Sequence, residues 1–302
     1  MNIQEARSYG KTKLEDSSPS AQLDADCILQ EILKCDKTTL LFHREIELSN
    51  EQEKFFQQAL EKRLTGLPVA YITGHKEFYG RDFTVTPDVL IPKPDTELLV
   101  ENALSFIKQK HFDDKVISIC DMCTGSGCVG LSVIAECKDS LRYKNLPSMT
   151  LSDISMNALE IAKKNIIQLG LDDIKPEIKI TCSNLFEKIN GQFDIIISNP
   201  PYIPMSDVNE LLKDGRNEPV LALNGDVELD GSPSLTSDGL AIIRNLIPQA
   251  CAHLKSNGVL ILETGEYNAK EAAQIFEQNG FKDVNIFKDL SGQDRNVIGR
   301  KK

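Results

Sequence analysis

The sequence has no apolar run long enough to span a bilayer, which excludes a helical membrane protein. Its first twenty residues are polar and acidic and lack the apolar stretch of a signal peptide, so a cytoplasmic protein is expected. Positive charge is also short. Lys and Arg number 34 against 45 Asp and Glu, a net charge of −11, which argues against a general affinity for nucleic acid phosphates. Histidine occurs only four times, and Cys120-Asp-Met-Cys123 has neither a second C-x-x-C nor a nearby histidine to complete a zinc site. The eight cysteines lack the dense spacing of a disulfide scaffold and most read as reduced core residues, with no metal expected. No internal repeat or low-complexity tract is present.

At 302 residues the chain can bury a substantial core, and two domains are expected. Residues 20 to 65 carry helical periodicity in Leu23, Cys27, Ile28, Ile32 and Leu33 and again in Phe55, Phe56, Leu60 and Leu64. From Val69 to Pro92 the pattern becomes short β-like pieces punctuated by Gly74, Gly80 and Pro87, as in a hairpin connector. The predicted division is a helical domain over 1–68, a hairpin connector over 69–95 and a third part over 96–302. In that third part, strand candidates at Val116–Cys120, Thr150–Ile154, Ile178–Cys182, Phe193–Ser198, Gly258–Glu263, Val284–Lys288 and Val297–Arg300 alternate with helical patterns. The helices are predicted at Cys128–Cys137, Asn157–Leu169, Gly239–Lys255 and Ala269–Gln278. This alternation predicts an α/β fold, a mainly parallel sheet with helices on both faces, whose ligands bind beyond the carboxyl ends of the strands.

Gly125-Ser-Gly-Cys-Val-Gly130 matches G-x-G-x-x-G after a strand, and Asp153 follows the next strand at the distance of a ribose-binding acid. Alone, this would be a dinucleotide fingerprint, with Gly130 equally able to serve only close helix packing. Asp121 changes the reading. A carboxylate at the strand tip sits poorly beside a pyrophosphate but attracts a cofactor bearing an ammonium and a sulfonium, and S-adenosylmethionine has both. Local capping of loop amides remains the other reading of Asp121, and a helix N-terminal acid ahead of Ser155 that of Asp153. Asn184 can bond an adenine amino group and Leu185 can pack on the ring, or both can serve the loop alone.

Phe193-Asp-Ile-Ile-Ile-Ser198 is an apolar strand that leaves through Asn199-Pro200-Pro201-Tyr202. The prolines fix backbone direction and donate no hydrogen bonds. An amino group on an sp² carbon is a poor nucleophile. A site that methylates it must hold both N–H bonds while aiming the nitrogen, and the Asn199 side-chain oxygen and Pro200 carbonyl can be the two acceptors. Tyr202 can stack on the planar group. A plain strand-ending turn is the alternative, and the chemistry suits an adenine amine and a glutamine amide equally.

Together, Asn199-Pro-Pro-Tyr-Ile203, Asp121-Met-Cys-Thr-Gly-Ser-Gly127, Ile91-Pro-Lys-Pro-Asp-Thr-Glu97, Val69-Ala-Tyr-Ile-Thr-Gly74 and Asp289-Leu-Ser-Gly-Gln-Asp-Arg295 resemble the HemK/PrmC protein-(glutamine-N5) methyltransferases from about residue 20 onward. The resemblance implies a class I, Rossmann-like S-adenosylmethionine-dependent methyltransferase sheet behind a small helical substrate-recognition domain. It implies methylation of the glutamine in the Gly-Gly-Gln loop of class 1 peptide chain release factors, with a nucleic-acid adenine-N6 methyltransferase as the alternative. Cofactor contacts are then expected from Asp121, Cys123, Thr124, Gly125, Ser126 and Gly127, and from Asp153, Asn184, Leu185 and Asn199. Substrate binding and catalysis fall to Asn199, Pro200, Pro201 and Tyr202. The chain departs from the family at Lys93 (usually Arg), Cys123 (a glycine), Asn184 (an Asp) and Tyr267-Asn268 (often Gln). Asn217–Leu223 resembles a stretch beside the substrate, and Asn224–Ser237 is expected to be a mobile loop.

Overall fold

Two capping boxes start the helical part: Asn2 and Glu5 at the head of α1 (Ile3–Leu14), and Ser49 and Gln52 at the head of α4 (Asn50–Leu64). Between them lie α2 (Ala21–Leu33) and α3 (Lys37–Phe42). The computed structural model describes residues 1–110, 116–141, 145–175 and 178–302. Residues 1–75 and 210–217 form one compact unit, and residues 76–209 and 218–302 form another. The first unit is built around Ile3, Leu14, Leu29, Phe56 and Leu60, all buried. Leu23 and Phe55, expected on the apolar stripe, are exposed, because Ala25, Leu29 and Phe56 occupy the inward face instead. Helix α1 precedes the periodic region read from the sequence.

Val69–Thr73, read as β-like, is a short helix, α5. Pro68 precedes its first turn and Gly74, with φ +83°, closes it, the usual Pro-before and Gly-after signals of a helix. The hairpin itself follows, β1 (His75–Phe78) and β2 (Arg81–Thr84), turning through Tyr79 and Gly80, both at positive φ.

The second unit continues through α6 (Glu97–Lys110), β3 (Ser118–Met122), α7 (Cys128–Asp139), β4 (Ser148–Asp153), α8 (Met156–Gln168), β5 (Lys179–Cys182) and β6 (Phe193–Ser198). The short helices α9 (Met205–Leu211) and α10 (Val220–Leu223) precede α11 (Ala241–His253), β7 (Leu254–Glu263), α12 (Ala269–Gln278), β8 (Phe281–Lys288) and β9 (Asp294–Lys301). Seven strands form one sheet in the order β5-β4-β3-β6-β7-β9-β8. Pairing is parallel from β5 to β7, while β9 runs antiparallel between β7 and β8.

Burial on both faces explains why the central strands read as unbroken apolar runs. Along β6, Ile195 and Ile197 join the core under α6, α7 and α8, while Ile196 joins the core under α11 and α12. β7 divides the same way, with Val259 and Ile261 on one side and Leu260 and Leu262 on the other. The chain order reverses between β3 and β6, so a crevice opens beyond their carboxyl ends. Among the described residues no helix is long and apolar enough to cross a membrane.

Candidate active site

A cavity of about 330 Å³ lies at that crevice, within the size range of small-molecule sites. The turn after β3 forms its floor. Asp121 is buried, and its Oδ2 accepts from Thr124 Oγ1 at 2.6 Å and from the Gly130 amide at 3.0 Å. Burial pushes its carboxyl up to about 6, against the pull of those two bonds. It therefore caps the loop, as one reading of the sequence required, and also lines the cavity. Gly130 has no room for a side chain, since an added Cβ would lie 2.7 Å from Leu151 Cδ2 and 2.9 Å from Asp121 Oδ2.

Cys123, where the family has glycine, adopts φ +59°, in the left-handed region that a glycine enters without cost. Cys123→Gly should change stability by no more than about 1 kcal/mol, because relieved strain offsets lost packing, whereas the β-branched Cys123→Val should cost ~2 kcal/mol. Urea midpoints measure both, and equal midpoints for the two variants would contradict this account.

Asp153, at the end of β4, accepts from the Gly125 amide on Oδ2 and the Ser155 amide on Oδ1, each at 2.9 Å. Burial raises its pKa, and the same two amides oppose the rise. Ser155 caps α8 by accepting from the Ala158 amide, so Asp153 also sits at a helix start as its other reading required. Gly125 has φ +55° and open space where a Cβ would stand, facing the cavity with Thr124 and Ser126. Gly127, at φ +81°, begins α7 and lies behind them, outside the lining.

Asn184 and Leu185, after β5, also line the cavity. The Asn184 amide donates to the Leu229 carbonyl at 2.7 Å. That bond ties down the segment expected to be a mobile loop. Residues 224–239 are instead a folded, hydrogen-bonded flap, because the buried Asp226 accepts from the Met205 amide at 2.9 Å and the Gly239 amide at 2.6 Å. Gly225 and Gly239 touch backbone to backbone at its base, where an added Cβ on Gly225 would stand 2.1 Å from the Gly239 carbonyl. Val227, Glu228 and Leu229 of this flap line the cavity.

Asn199 and Pro201 complete the wall at the end of β6. Asn199 Nδ2 donates to Thr96 Oγ1 at 3.2 Å, and Oδ1 makes no hydrogen bond among the described residues. Pro200 and Tyr202 do not line the cavity. The Tyr202 ring packs on the core under α11 and α12, and its hydroxyl donates to Glu263 Oε1 at 3.1 Å, so the stacking expected of it is not the arrangement found. A buried carboxylate at the tip of β7 captures it. Tyr267 and Asn268, the pair replacing a common Gln, both donate to the Tyr202 carbonyl at 3.2 Å and buttress the turn.

The sequence reading gave no role to Thr96 or Glu263. Their signal was present in part: Glu263 ends an apolar strand as Asp121 does. Lys93 also lines the cavity, donating to Glu218 Oε1 at 2.6 Å, with Pro219, Leu221 and Ala222 beside it. Cys120 is buried in β3, where burial pushes its thiol well up. No group of three or more candidate metal ligands gathers among the described residues.

Residues 5–74 match the family described as PrmC N-terminal domain, and residues 96–219 match the Methyltransferase small domain. The Release factor glutamine methyltransferase of Borreliella burgdorferi is 35% identical over 298 residues, covering 99% of this chain and 94% of that one. The chain belongs to the release factor glutamine methyltransferase family. The relative of this name in Leptospira interrogans is 37% identical over 283 residues, 93% of this chain and 91% of its own. The T. Thermophilus 16S rRNA N2 G1207 methyltransferase, solved in complex with AdoMet and guanosine, shares the fold. Its TM-score is 0.52 at 16% identity, over 76% of this chain and 50% of that chain. Membership of the release factor glutamine methyltransferases makes this protein an enzyme, built on the class I S-adenosylmethionine-dependent methyltransferase fold.

Proposed function

We propose that the protein transfers a methyl group from S-adenosylmethionine to the side-chain amide nitrogen of the glutamine in the Gly-Gly-Gln motif of class 1 peptide chain release factors. The observation that carries this reading is one cavity lined by Asp121, Asp153 and Asn199 together, in a chain of this family. Residues 1–68 are assigned to recognition of the protein substrate, 69–95 to the connector and 96–302 to methyl transfer.

The residues present fit the cofactor. Asp153 keeps a lone pair on each oxygen after accepting two amides, enough to receive a ribose diol. Asn184 Oδ1 can accept from an adenine amino group while its Nδ2 holds the flap, and the buried Leu185 offers an apolar face to the ring. Asp121 supplies the negative charge that a bound ammonium and sulfonium would keep ionised. When bound, the cofactor supplies an electrophilic methyl. Everything else is positioning. Asn199 Oδ1, turned away from Thr96, accepts one N–H of the glutamine amide, and the second acceptor is the Pro200 carbonyl, which the amide would have to reach just beyond the cavity lining. Both acceptors stabilise the positive charge that develops on nitrogen as its lone pair is drawn toward the methyl. Gly-Gly-Gln presents its amide between residues without side chains, so it enters a narrow pocket more cheaply than a base that must first be unstacked, at a few kcal/mol.

The test is intact-mass analysis of a release factor incubated with the protein and S-adenosylmethionine. One added methyl is expected, on the Gly-Gly-Gln glutamine, abolished by Gln→Ala in the release factor, with duplex DNA unmodified. Methyl incorporation into DNA with none into the release factor would overturn the reading.

A further inference from the structure

Asn199 can serve as proposed only with its oxygen toward the substrate. Rotated by half a turn, its Nδ2 would meet the glutamine N–H donor to donor, and attraction would become repulsion. Something must hold the amide in one orientation. Thr96 Oγ1 accepts from Nδ2, which fixes Asn199 only while the Thr96 hydrogen points elsewhere. Its neighbouring acceptor is Glu263. The parallel register of β6 and β7 pairs Ser198 with Leu262, placing Asn199 and Glu263 at adjacent strand tips. Glu263 is buried, with Oε1 taking the Tyr202 hydroxyl and Oε2 having no hydrogen-bond partner among the described residues.

We propose that Glu263 is a positioning residue, the terminal acceptor of a chain running from Asn199 Nδ2–H through the Thr96 hydroxyl to the carboxylate. The inference rests on the proposed transfer to an amide nitrogen. With the Thr96 hydrogen directed at Glu263, Asn199 Nδ2 stays on Thr96 and the acceptor end, Asn199 Oδ1, is left for the cavity. The open Oε2 is the place where the last bond tightens, as catalytic hydrogen bonds commonly do only when substrate is bound.

Several groups surround the carboxylate. Asp95 and Thr96 face it from the turn before α6, Tyr202 from the end of β6, Arg295 from β9 and Cys128 from the start of α7. Burial raises its pKa to about 7; Thr96, Arg295 and Tyr202 pull downward and Asp95 upward. Protonated, Glu263 becomes a donor and the chain loses its end. Activity therefore falls as pH drops through about 7.

The experiment compares the full-length wild type with Glu263→Gln, Thr96→Val and Thr96→Ser on a release factor substrate. Glu263→Gln should lower kcat about tenfold or more, with the KM for release factor and the calorimetric affinity for S-adenosylmethionine within about twofold, and should lose the acid limb near pH 7. Thr96→Val should behave alike, and Thr96→Ser should restore most of what it loses. At pH 8, Glu263→Gln should unfold at the same or a higher urea concentration than wild type, because it removes a buried charge. A side chain with a merely structural role would not become slower without becoming weaker. Wild-type kcat with the acid limb retained in Glu263→Gln, or wild-type kcat in Thr96→Val, overturns the proposal. A separate reading needs no turnover: the side-chain amide resonances of ¹⁵N-labelled Asn199, assigned by their loss in Asn199→Ala. They should shift with a midpoint near pH 7 in wild type and not in Glu263→Gln; resonances unmoved in wild type overturn the positioning chain. Failure of wild type to modify a release factor, with these shifts present, overturns the proposed function alone.

Discussion

Asn199→Ala is expected to bind S-adenosylmethionine within a few fold of wild type and to turn over about a hundredfold more slowly or worse. Asp121 and Asp153, the acids proposed to hold the cofactor, stand on β3 and β4, and their hydrogen bonds run to Thr124, Gly125, Gly130 and Ser155, none of which depends on Asn199. What the variant loses is the side-chain acceptor at the end of β6 whose direction Thr96 fixes. The remaining backbone carbonyls can hold one amide N–H but not orient the nitrogen. Single-turnover rates and calorimetric titration separate the two effects, and near-normal turnover would remove Asn199 from the reaction.

Gly130→Ala should damage the other side of the cavity. Alanine favours a helix over glycine by about 1 kcal/mol, so propensity alone predicts a gain. Packing reverses that sign. The new methyl would stand 2.7 Å from Leu151 Cδ2, in the middle of the core, and 2.9 Å from Asp121 Oδ2, which is held by Thr124 and by Gly130 itself. Overpacking of this kind costs about 1–3 kcal/mol, which cancels the gain and leaves a net loss of stability of up to ~2 kcal/mol. Asp121 has to move, and cofactor affinity should fall about tenfold or more as its charge leaves its place. Unchanged affinity in a folded Gly130→Ala protein would show that Asp121 does not meet the cofactor.

Much of this arrangement was legible because the central strands are buried on both faces. Continuous apolar runs such as Ile195-Ile-Ile197 mark them, and each ends on a polar or turn residue that the parallel sheet gathers at one edge. Asp121, Asp153, Asn184 and Asn199 could thus be brought together from the sequence alone. Tyr202 could not be placed. Its chemistry suits stacking, but the ring follows the hydroxyl to Glu263, a partner 61 residues away that only strand order brings near. Thr96 was illegible for the same reason, lying 103 residues from Asn199. Segment 224–239 misled because its polar composition matches that of an open loop. A single buried carboxylate, Asp226, holds it through backbone amides that composition does not record. Val69–Thr73 misled through β-branched residues, whose weak strand preference yielded to the Pro68 and Gly74 boundaries.

The contact between Gly225 and Gly239 makes the flap an Ω-shaped excursion whose two ends are already joined. Lengthening such a loop at its tip leaves its closure point in place, and each doubling of its length costs only about 0.6 kcal/mol of entropy. The tip around Leu235 is fully exposed. Insertions there, whether arising by drift among relatives or introduced to carry a fluorescent reporter, can change the outer contour of the protein while Val227 to Leu229 remain against the cavity. Residues 225 and 239 have no such latitude, since a Cβ on Gly225 would stand 2.1 Å from the Gly239 carbonyl and one on Gly239 would stand 2.1 Å from the Tyr202 carbonyl.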